Sequence, residues 1–179
     1  MHDDIERILI PADDLARRVA ELGQEVAADY CGRELLLVGV LKGAVIFLVD
    51  LARQIRLPLE IDFMATSSYG ASTETSGVVR ILKDLDEPVA DKHVLVVEDI
   101  IDTGLTLQYI LRNLETRRPA SVRVCGLLVK DKQRPIEVRC DYVGFHIPDR
   151  FVVGYGLDYA ERYRNLPYIG VLKASIYRE

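Results

Sequence analysis

The chain has 179 residues, of which 49% are hydrophobic and 28% are charged, which is the ordinary balance of a globular domain. Its formal net charge of −5 argues against nucleic acid as the main partner, since phosphate backbones favour basic surfaces, but leaves room for a small anionic ligand. No apolar stretch approaches a membrane span and the acidic N-terminal residues are unlike a signal peptide, so we expect a cytoplasmic protein without a membrane partner.

The first half of the chain alternates between helical and strand-like patterns. Apolar residues recur at helical spacing between 15 and 26, and a continuous apolar run over 34–41 is typical of a strand buried on both faces. A second helix is predicted over 44–55. Two further strands are predicted, over 59–66 and 77–84.

The second half continues this alternation. A buried strand is predicted over 93–99, a helix with an apolar face over 107–114, and another strand over 121–129. Shorter extended pieces are predicted at 142–145, 151–153 and 168–172. This order predicts an α/β fold with a mainly parallel, twisted sheet flanked by helices, in which residues 1–179 form a single domain.

Ligands of such folds bind at the carboxyl ends of the strands, where two segments with suitable chemistry fall. The first is "LKG" at 41–43 and the second is "EDIIDTG" at 98–104. In and just after the second segment, N–H groups at a helix start, two threonine hydroxyls and a permissive glycine predict a phosphate cradle. The cradle consists of Asp102, Thr103, Gly104, Leu105 and Thr106.

Two further acids, Glu98 and Asp99, stand just before the cradle, where a carboxylate would repel a phosphate. Their position makes sense if the ligand has two chemically different ends. Ribose 5-phosphate has such ends, because it carries an anion at C5 and a vicinal diol at C2 and C3. Ionised carboxylates accept hydrogen bonds from a diol, either directly or through a divalent cation. The pattern therefore predicts a phosphorylated pentose as the ligand.

The segment "VLVVEDIIDTGLTL" (94–107) resembles the phosphoribosyl diphosphate motif of type I phosphoribosyltransferases, and specifically of their hypoxanthine-guanine branch. Further segments similar to that branch occur in the same order along the chain, at 41–43, 67–70, 80–86, 127–132 and 143–172. The resemblance covers most of the chain from about Leu35 onward. The last of these segments narrows it to the enzymes that act on 6-oxopurines.

This resemblance implies the type I phosphoribosyltransferase fold, with a small hood from the terminal segments and a mobile lid loop. It implies an enzyme of purine salvage, which transfers the 5-phosphoribosyl group from phosphoribosyl diphosphate to hypoxanthine or guanine. The products would be IMP or GMP and pyrophosphate. It also implies Mg²⁺ as cofactor and a homodimer or homotetramer as the assembly.

The resemblance assigns roles at the reacting end of the site. Asp102 is expected to accept or shuttle a proton at purine N7, although the residue alone would be explained as a helix cap. Lys42 and Gly43, with Arg164, match positions that bind pyrophosphate. Taken alone, a surface lysine at a helix start and an arginine on a helix surface are the competing interpretations.

A second group of residues is expected to select the base. Lys130 would donate to the 6-oxo group, which adenine lacks, so that adenine is rejected. Phe151 would stack on the purine and Val152 would offer backbone groups to its edge. Asp158, grouped with these purine-binding residues, matches a carboxylate that holds a second Mg²⁺ on the pyrophosphate side. Glu98 and Asp99 are further expected metal ligands. A core aromatic and a turn aspartate are the alternatives for Phe151 and Asp158.

The stretch 67–77, "SSYGASTETSG", is small, polar and placed between two predicted strands. An exposed loop is its simplest interpretation. By resemblance it is the lid, with Ser68 and Tyr69 as the contacts that help to shield the reacting centre from water.

Two other functions are compatible with the same fold. One is a regulator that binds RNA in response to nucleotides, which the acidic charge balance disfavours. The other is a related transferase that uses a different base such as xanthine, because base specificity depends on a few pocket contacts.

Overall fold

A computed structural model of the chain describes residues 1–68, 79–133 and 136–177, and of Ser68 only the backbone. After a single 3-10 turn over His2–Asp4, the elements in chain order are β1 (Ile5–Ile10), α1 (Ala12–Asp29), β2 (Leu35–Leu41), α2 (Val45–Gln54), β3 (Leu59–Ser68), β4 (Val79–Lys83), β5 (His93–Ile101), α3 (Leu105–Glu115), β6 (Ser121–Lys130), β7 (Tyr142–Ile147), β8 (Val152–Val153), β9 (Ile169–Leu172) and α4 (Ala174–Tyr177).

Six of the strands form the central sheet in the order β4-β3-β2-β5-β6-β7. All neighbouring pairs are parallel except β3 and β4, which are antiparallel. The prediction of a mainly parallel α/β sheet is therefore confirmed. The continuous apolar runs of β2 and β5 follow from this arrangement, because strands at the middle of such a sheet are buried on both faces.

The two faces of the sheet pack into separate hydrophobic clusters. On one face, Leu37 and Leu95 pack with α1 and α2 through residues such as Leu22 and Leu48. On the other face, Leu36 and Val94 pack in a cluster that includes Leu107 and Ile110 of α3. Successive strand residues thus alternate between the two clusters, as the twofold repeat of a strand requires.

A second, smaller sheet joins the two ends of the chain. Its order is β1-β9-β8, and both pairs are antiparallel. This sheet corresponds to the expected hood from terminal segments. Strand β1 was not predicted from the sequence, and its burial pattern shows why, since five of its six residues are exposed or half-buried without regular alternation.

Two details of the fold bear on the site. Strand β5 continues to Ile101, two residues beyond the predicted end. Glu98 and Asp99 therefore lie inside the strand and not at its end. The peptide bond between Leu41 and Lys42 is cis. None of the helices in the described ranges is long and apolar enough to cross a membrane.

Candidate active site

The functional side chains collect where neighbouring parallel strands end. Ile101 of β5 is the register partner of Val129 of β6, so the residues that follow them, Asp102 and Lys130, emerge side by side. Lys130 is in turn the register partner of Ile147, at the end of β7. Parallel pairing therefore brings three consecutive strand ends, far apart in the sequence, to one edge of the sheet.

Asp102 is held between two lysines at this edge. Its Oδ2 accepts a hydrogen bond from Lys130 Nζ at 2.9 Å, and its Oδ1 pairs with Lys132 Nζ. Asp149, from the loop between β7 and β8, lies 3.0 Å from Lys130 Nζ and 3.5 Å from Lys132 Nζ through its Oδ1. Two cations and two carboxylates thus form a closed, charge-balanced group, which we call the lysine–aspartate ring (Asp102, Lys130, Lys132, Asp149).

The ring keeps its carboxylates ionised. Burial by itself would raise the pKa of Asp102, but the hydrogen bonds from Lys132 and Lys130 outweigh it and lower that pKa below its usual value. The hydrogen bond from Lys130 likewise lowers the pKa of Asp149. In the other direction, the hydrogen bond to Asp102 raises the pKa of Lys132. At neutral pH the Asp102 carboxylate is therefore ionised and can accept hydrogen bonds.

The predicted phosphate cradle forms the turn between β5 and α3. Gly104 is the N-cap of α3 with a φ of +83°, and a Cβ at this position would approach Ile136 O to 2.9 Å. A cavity of about 90 Å³ opens here, lined by Glu98, Ile100, Ile101, Asp102, Thr103, Gly104, Thr106 and Leu107. Four of the five predicted cradle residues line it, and Leu105 begins the helix. The N–H groups of that first turn can receive an anion.

Glu98 and Asp99 face opposite sides of the sheet. Val96 belongs to the cluster on the α3 face and Val97 to the cluster on the α1 and α2 face, and Glu98 and Asp99 follow in the same order. Glu98 accordingly lines the cradle cavity, 8% exposed. Its Oε2 has no hydrogen-bond partner among the described residues. Burial raises the pKa of Glu98 well above its usual value, and the charge of Asp99 adds to the effect.

Asp99 lies on the other face, against Gly43. A Cβ on Gly43 would come within 1.7 Å of Asp99 Oδ2, so only glycine fits at that position. Burial raises the pKa of Asp99 to about 6, although a hydrogen bond from the Ile100 N–H and the nearby charge of Arg164 act against it. The negative charge of Asp158 contributes in the same direction as burial. This face of β5 is thus acidic and short of cations.

The loop that carries Asp158 and Arg164 packs on the peptide that follows β2. Gly156 has a φ of +105°, and a Cβ there would meet Gly43 O at 2.1 Å. A glycine is therefore needed at 156 for these two backbones to touch. Arg164 Nη1 donates to Gly156 O at 2.8 Å, and its Nη2 lies 2.9 Å from Asp158 Oδ1. The predicted pyrophosphate-binding residues Gly43 and Arg164 are brought together by these contacts.

Glu161 links the two predicted pyrophosphate-binding cations. Its Oε1 lies 3.1 Å from Lys42 Nζ, and its Oε2 lies 3.4 Å from Arg164 Nη2. Its backbone N–H donates to Asp158 Oδ2 at 2.9 Å, and its φ is +61°. The hydrogen bond from Lys42, followed by that from Arg164, lowers the pKa of Glu161. A carboxylate therefore occupies the position where two cations would receive an anionic ligand.

The predicted purine-stacking ring belongs to a cluster of three aromatics. Phe151, 36% exposed, stacks on Tyr177 of α4 with ring centroids 4.7 Å apart and planes inclined by 21°. Tyr159 meets Phe151 edge-on, with centroids 5.6 Å apart. Val152 is buried in β8. The ring is thus braced by neighbours and still partly open to a ligand.

The expected lid cannot be compared with the structure. Tyr69 and most of the stretch 67–77 lie outside the described residues, and of Ser68 only the backbone is described, at the end of β3.

Sequence reasoning missed four residues of the site, namely Lys132, Asp149, Glu161 and Tyr177. Lys132 and Asp149 stand in segments already quoted for their resemblance, "LLVKDK" and "HIPDR", so a signal was present. Glu161 and Tyr177 are positioned by the left-handed turn of the 154–164 loop and by the docking of α4, for which no local pattern exists.

Three comparisons relate this geometry to known proteins. The family model described as the phosphoribosyl transferase domain matches residues 10–160. The chain is 56% identical to a hypoxanthine-guanine phosphoribosyltransferase of Mycobacterium avium, over 98% of the chain and 90% of that protein. It is 51% identical to the same enzyme of Bacillus subtilis, over 99% of the chain and 98% of that protein.

A solved structure shows the same likeness in three dimensions. The crystal structure of a hypoxanthine phosphoribosyltransferase from Staphylococcus aureus superposes with a TM-score of 0.96 and 46% sequence identity. The match covers 100% of this chain and 97% of that one. The likeness therefore extends over both sheets and over the whole site.

Proposed function

The chain belongs to the phosphoribosyltransferase family, and from that premise we propose that it is a pentosyltransferase of purine salvage. It transfers the 5-phosphoribosyl group from phosphoribosyl diphosphate to hypoxanthine or guanine, giving IMP or GMP and pyrophosphate. The contact between Lys130 and Asp102, at 2.9 Å beside a helix-start phosphate cradle, is the observation that carries this proposal. A cationic donor and an ionised acceptor lie side by side there, at one end of a sugar-phosphate site.

The paired strand ends match the two polar edges of a 6-oxopurine. Lys130 can donate to the 6-oxo oxygen, while a carboxylate oxygen of Asp102 accepts the proton at N7 as the base nitrogen attacks C1 of the sugar. Adenine presents an amino donor where the 6-oxo oxygen would be, so Lys130 would face another donor. Leaving a buried polar group without a hydrogen-bond partner costs free energy, so adenine should bind and react much more weakly.

The leaving pyrophosphate would meet the opposite wall. We propose that Lys42 and Arg164, with the backbone of Gly43, receive it once Glu161 gives up its contacts to the two cations. The glycine contact between residues 43 and 156 lets the backbones come close enough to surround a small anion.

We propose Mg²⁺ as the cofactor, with Glu98, Asp99 and Asp158 as candidate ligands. The unpartnered Oε2 of Glu98 and the raised pKa of both β5 acids fit a cation beside each of them, because the two acids lie on opposite faces of the sheet. Within residues 1–68, 79–133 and 136–177 no three metal-binding side chains converge, so substrate oxygens and water would complete the shell. When bound, Mg²⁺ would offset part of the charge of the diphosphate.

We also propose that the protein acts in the cytoplasm as a homodimer or homotetramer and that residues 1–179 form one domain. The resemblance to the hypoxanthine-guanine branch is the support for the assembly. Light scattering coupled to size-exclusion chromatography would measure the mass of the particle, and a monomer at all concentrations would refute the assembly.

A base-competition assay tests the function. With Mg²⁺ and phosphoribosyl diphosphate supplied, we expect pyrophosphate release with hypoxanthine and with guanine. Adenine should be on the order of 10⁴-fold poorer in kcat/KM, because Lys130 has no acceptor to meet. Turnover of xanthine at the rate of hypoxanthine would identify the transferase with the broader base range, and no release with any base would refute the proposal.

A further inference from the structure

The lysine–aspartate ring contains more charges than the proposed reaction assigns. The reaction uses Asp102 at N7 and Lys130 at the 6-oxo oxygen, which leaves Lys132 and Asp149 without a role. Resting on the proposed function, we propose that Asp149 is a positioning residue that keeps Lys130 aimed at the 6-oxo oxygen when Asp102 turns to the purine. Asp149 would in this way set the preference for 6-oxopurines.

The position of Asp149 follows from strand pairing. Lys130 and Ile147 are register partners at the ends of β6 and β7, and the Asp131 N–H donates to Ile147 O at 2.8 Å just beyond them. Asp149 comes two residues after Ile147, and its Oδ1 reaches Lys130 Nζ at 3.0 Å. The paired strand ends therefore place the short loop that carries this carboxylate beside the lysine.

The low exposure of Lys130 makes its contact with Asp149 energetically important. The side chain of Lys130 is 11% exposed, whereas that of Asp149 is 50% exposed. An ammonium group with so little contact to water needs hydrogen-bond acceptors within the protein. Because its ammonium group has three N–H donors, Lys130 can bond to Asp102, to Asp149 and to the purine at once.

Binding of the purine changes the balance among these contacts. In the ring, Asp102 is shared between Lys130 and Lys132, with one lysine on each carboxylate oxygen. When one oxygen of Asp102 turns to N7, its contact with Lys130 weakens and Asp149 becomes the chief anion beside that lysine. Without Asp149, two lysines would compete for the single carboxylate of Asp102. Lys130 would then be drawn toward Asp102 and away from the 6-oxo oxygen.

Asp131 is the matched control. It belongs to the same strand end, but its side chain is 62% exposed and its Oδ1 lies 3.0 Å from His146 Nδ1. Asp131 and His146 are the further titratable pair beside the ring, and the contact described for each of these side chains is with the other. Asp131→Asn therefore removes the same unit of charge from the same region and leaves the four ring side chains in place.

The test compares KM values for the two substrates. We expect Asp149→Asn to raise the KM for hypoxanthine and guanine about tenfold, since a charge-assisted bond to a mostly buried lysine is lost. The KM for phosphoribosyl diphosphate should stay within about twofold, because Asp149 does not line the cradle cavity. The preference for hypoxanthine over adenine should fall by a similar factor. Asp149→Glu, which keeps the charge, should recover part of the loss.

Each outcome decides a separate point. An unchanged hypoxanthine KM in Asp149→Asn, an equal change for both substrates, or the same effect from Asp131→Asn would overturn the role of Asp149. Thermal unfolding of each variant identifies any loss that comes from misfolding, and Asp149→Glu then serves as the second test. If the unaltered protein converts no base, the proposed function fails, whereas an active protein that is indifferent to Asp149→Asn refutes only the positioning role.

Discussion

Two acidic regions lie next to each other on β5 and the turn that follows it, and the pKa values of their carboxyl groups are shifted in opposite directions. Asp102 is surrounded by Lys130 and Lys132, and the hydrogen bonds from these lysines lower its pKa. Glu98 and Asp99, only a few residues earlier, are buried with too little positive charge around them, and burial raises the pKa of both. The same type of side chain is therefore ionised readily in one region and resists ionisation in the other.

The difference shows which part of the site the protein completes by itself. The lysine–aspartate ring balances its own charges and is ready for a neutral purine. The β5 acids are left short of partners, which is a cost that a ligand with hydroxyl donors and a cation would relieve. A buried polar group without a partner thus indicates which groups the ligand must supply. A polar group whose hydrogen bonds are satisfied indicates which groups the protein itself supplies for the reaction.

Asp102→Asn tests the ring most severely. The amide keeps the size of the side chain but cannot take a proton from N7, so kcat at saturating substrates should fall about 10²–10⁴-fold. Steady-state kinetics with hypoxanthine measure the change. Asp131→Asn again serves as the control, and a kcat near that of the unaltered protein would remove Asp102 from the chemistry.

Gly156→Ala tests the group of Lys42, Gly43 and Arg164, which we propose receives pyrophosphate. The new Cβ would meet Gly43 O at 2.1 Å, so the loop must move away from the peptide after β2. A displacement of about 1 Å in a reacting site costs on the order of 10²-fold, and we expect kcat/KM for phosphoribosyl diphosphate to fall by about that factor.

Gly32→Ala is the matched control for this variant. Gly32 also has a positive φ, +74°, but a Cβ added there would have no atom within 4 Å of it among the described residues, so only backbone strain of roughly 1–2 kcal/mol is added. Chemical denaturation reports that strain in both proteins. Loss of activity in Gly32→Ala, or its retention in Gly156→Ala, would contradict the close contact at residue 43.

Of these variants, Glu98→Gln should have the smallest effect, and its effect on stability should be opposite in sign to that of Asp102→Asn. Because the folded-state pKa of Glu98 is raised, its contribution to stability is fully present at low pH and is lost as the pH rises through that folded pKa. The amide avoids this loss, so at pH 8 it should stabilise the ligand-free protein by roughly 1 kcal/mol, or about 2–4 °C in Tm. The gain should vanish near pH 4, while the KM for phosphoribosyl diphosphate rises.

Asp102→Asn should change Tm in the opposite direction at pH 8. The folded-state pKa of Asp102 is lowered, so its stabilising effect is present above the unfolded pKa and is lost as the pH falls through the folded one. Differential scanning calorimetry of the two variants at pH 8 and pH 4 measures both signs. The same sign at pH 8 would mean that the two regions do not differ as described.

The central sheet could be predicted because its signals are local. The apolar runs of β2 and β5 and the helical spacing of α1 each lie within one segment of the chain. Strand β1 could not be predicted in this way, because only pairing with β9, from the far end of the chain, gives its residues a reason to be extended. Local pattern therefore accounts for the parallel core and for β8 and β9 of the hood, but not for β1.

The site shows the same division. Residues in the motif, such as Asp102 and Gly104, could be named because their roles follow from one strand–turn–helix unit. Glu161 could not, since it contacts Lys42, a cation that belongs to a distant part of the chain. The opposite facing of Glu98 and Asp99 follows from the predicted strand itself, because both residues lie within it and neighbouring strand residues face opposite sides of the sheet.

The contact between Gly43 and Gly156 has a consequence for how the protein becomes active. It joins a peptide near the first buried strand to a loop near the last one, so the wall that we propose for pyrophosphate forms only after nearly the whole chain has folded. A substrate that needs this wall binds the finished molecule and no partly assembled one, and by mass action it raises the population of complete molecules. The substrate thereby stabilises the fully folded protein in addition to reacting in it.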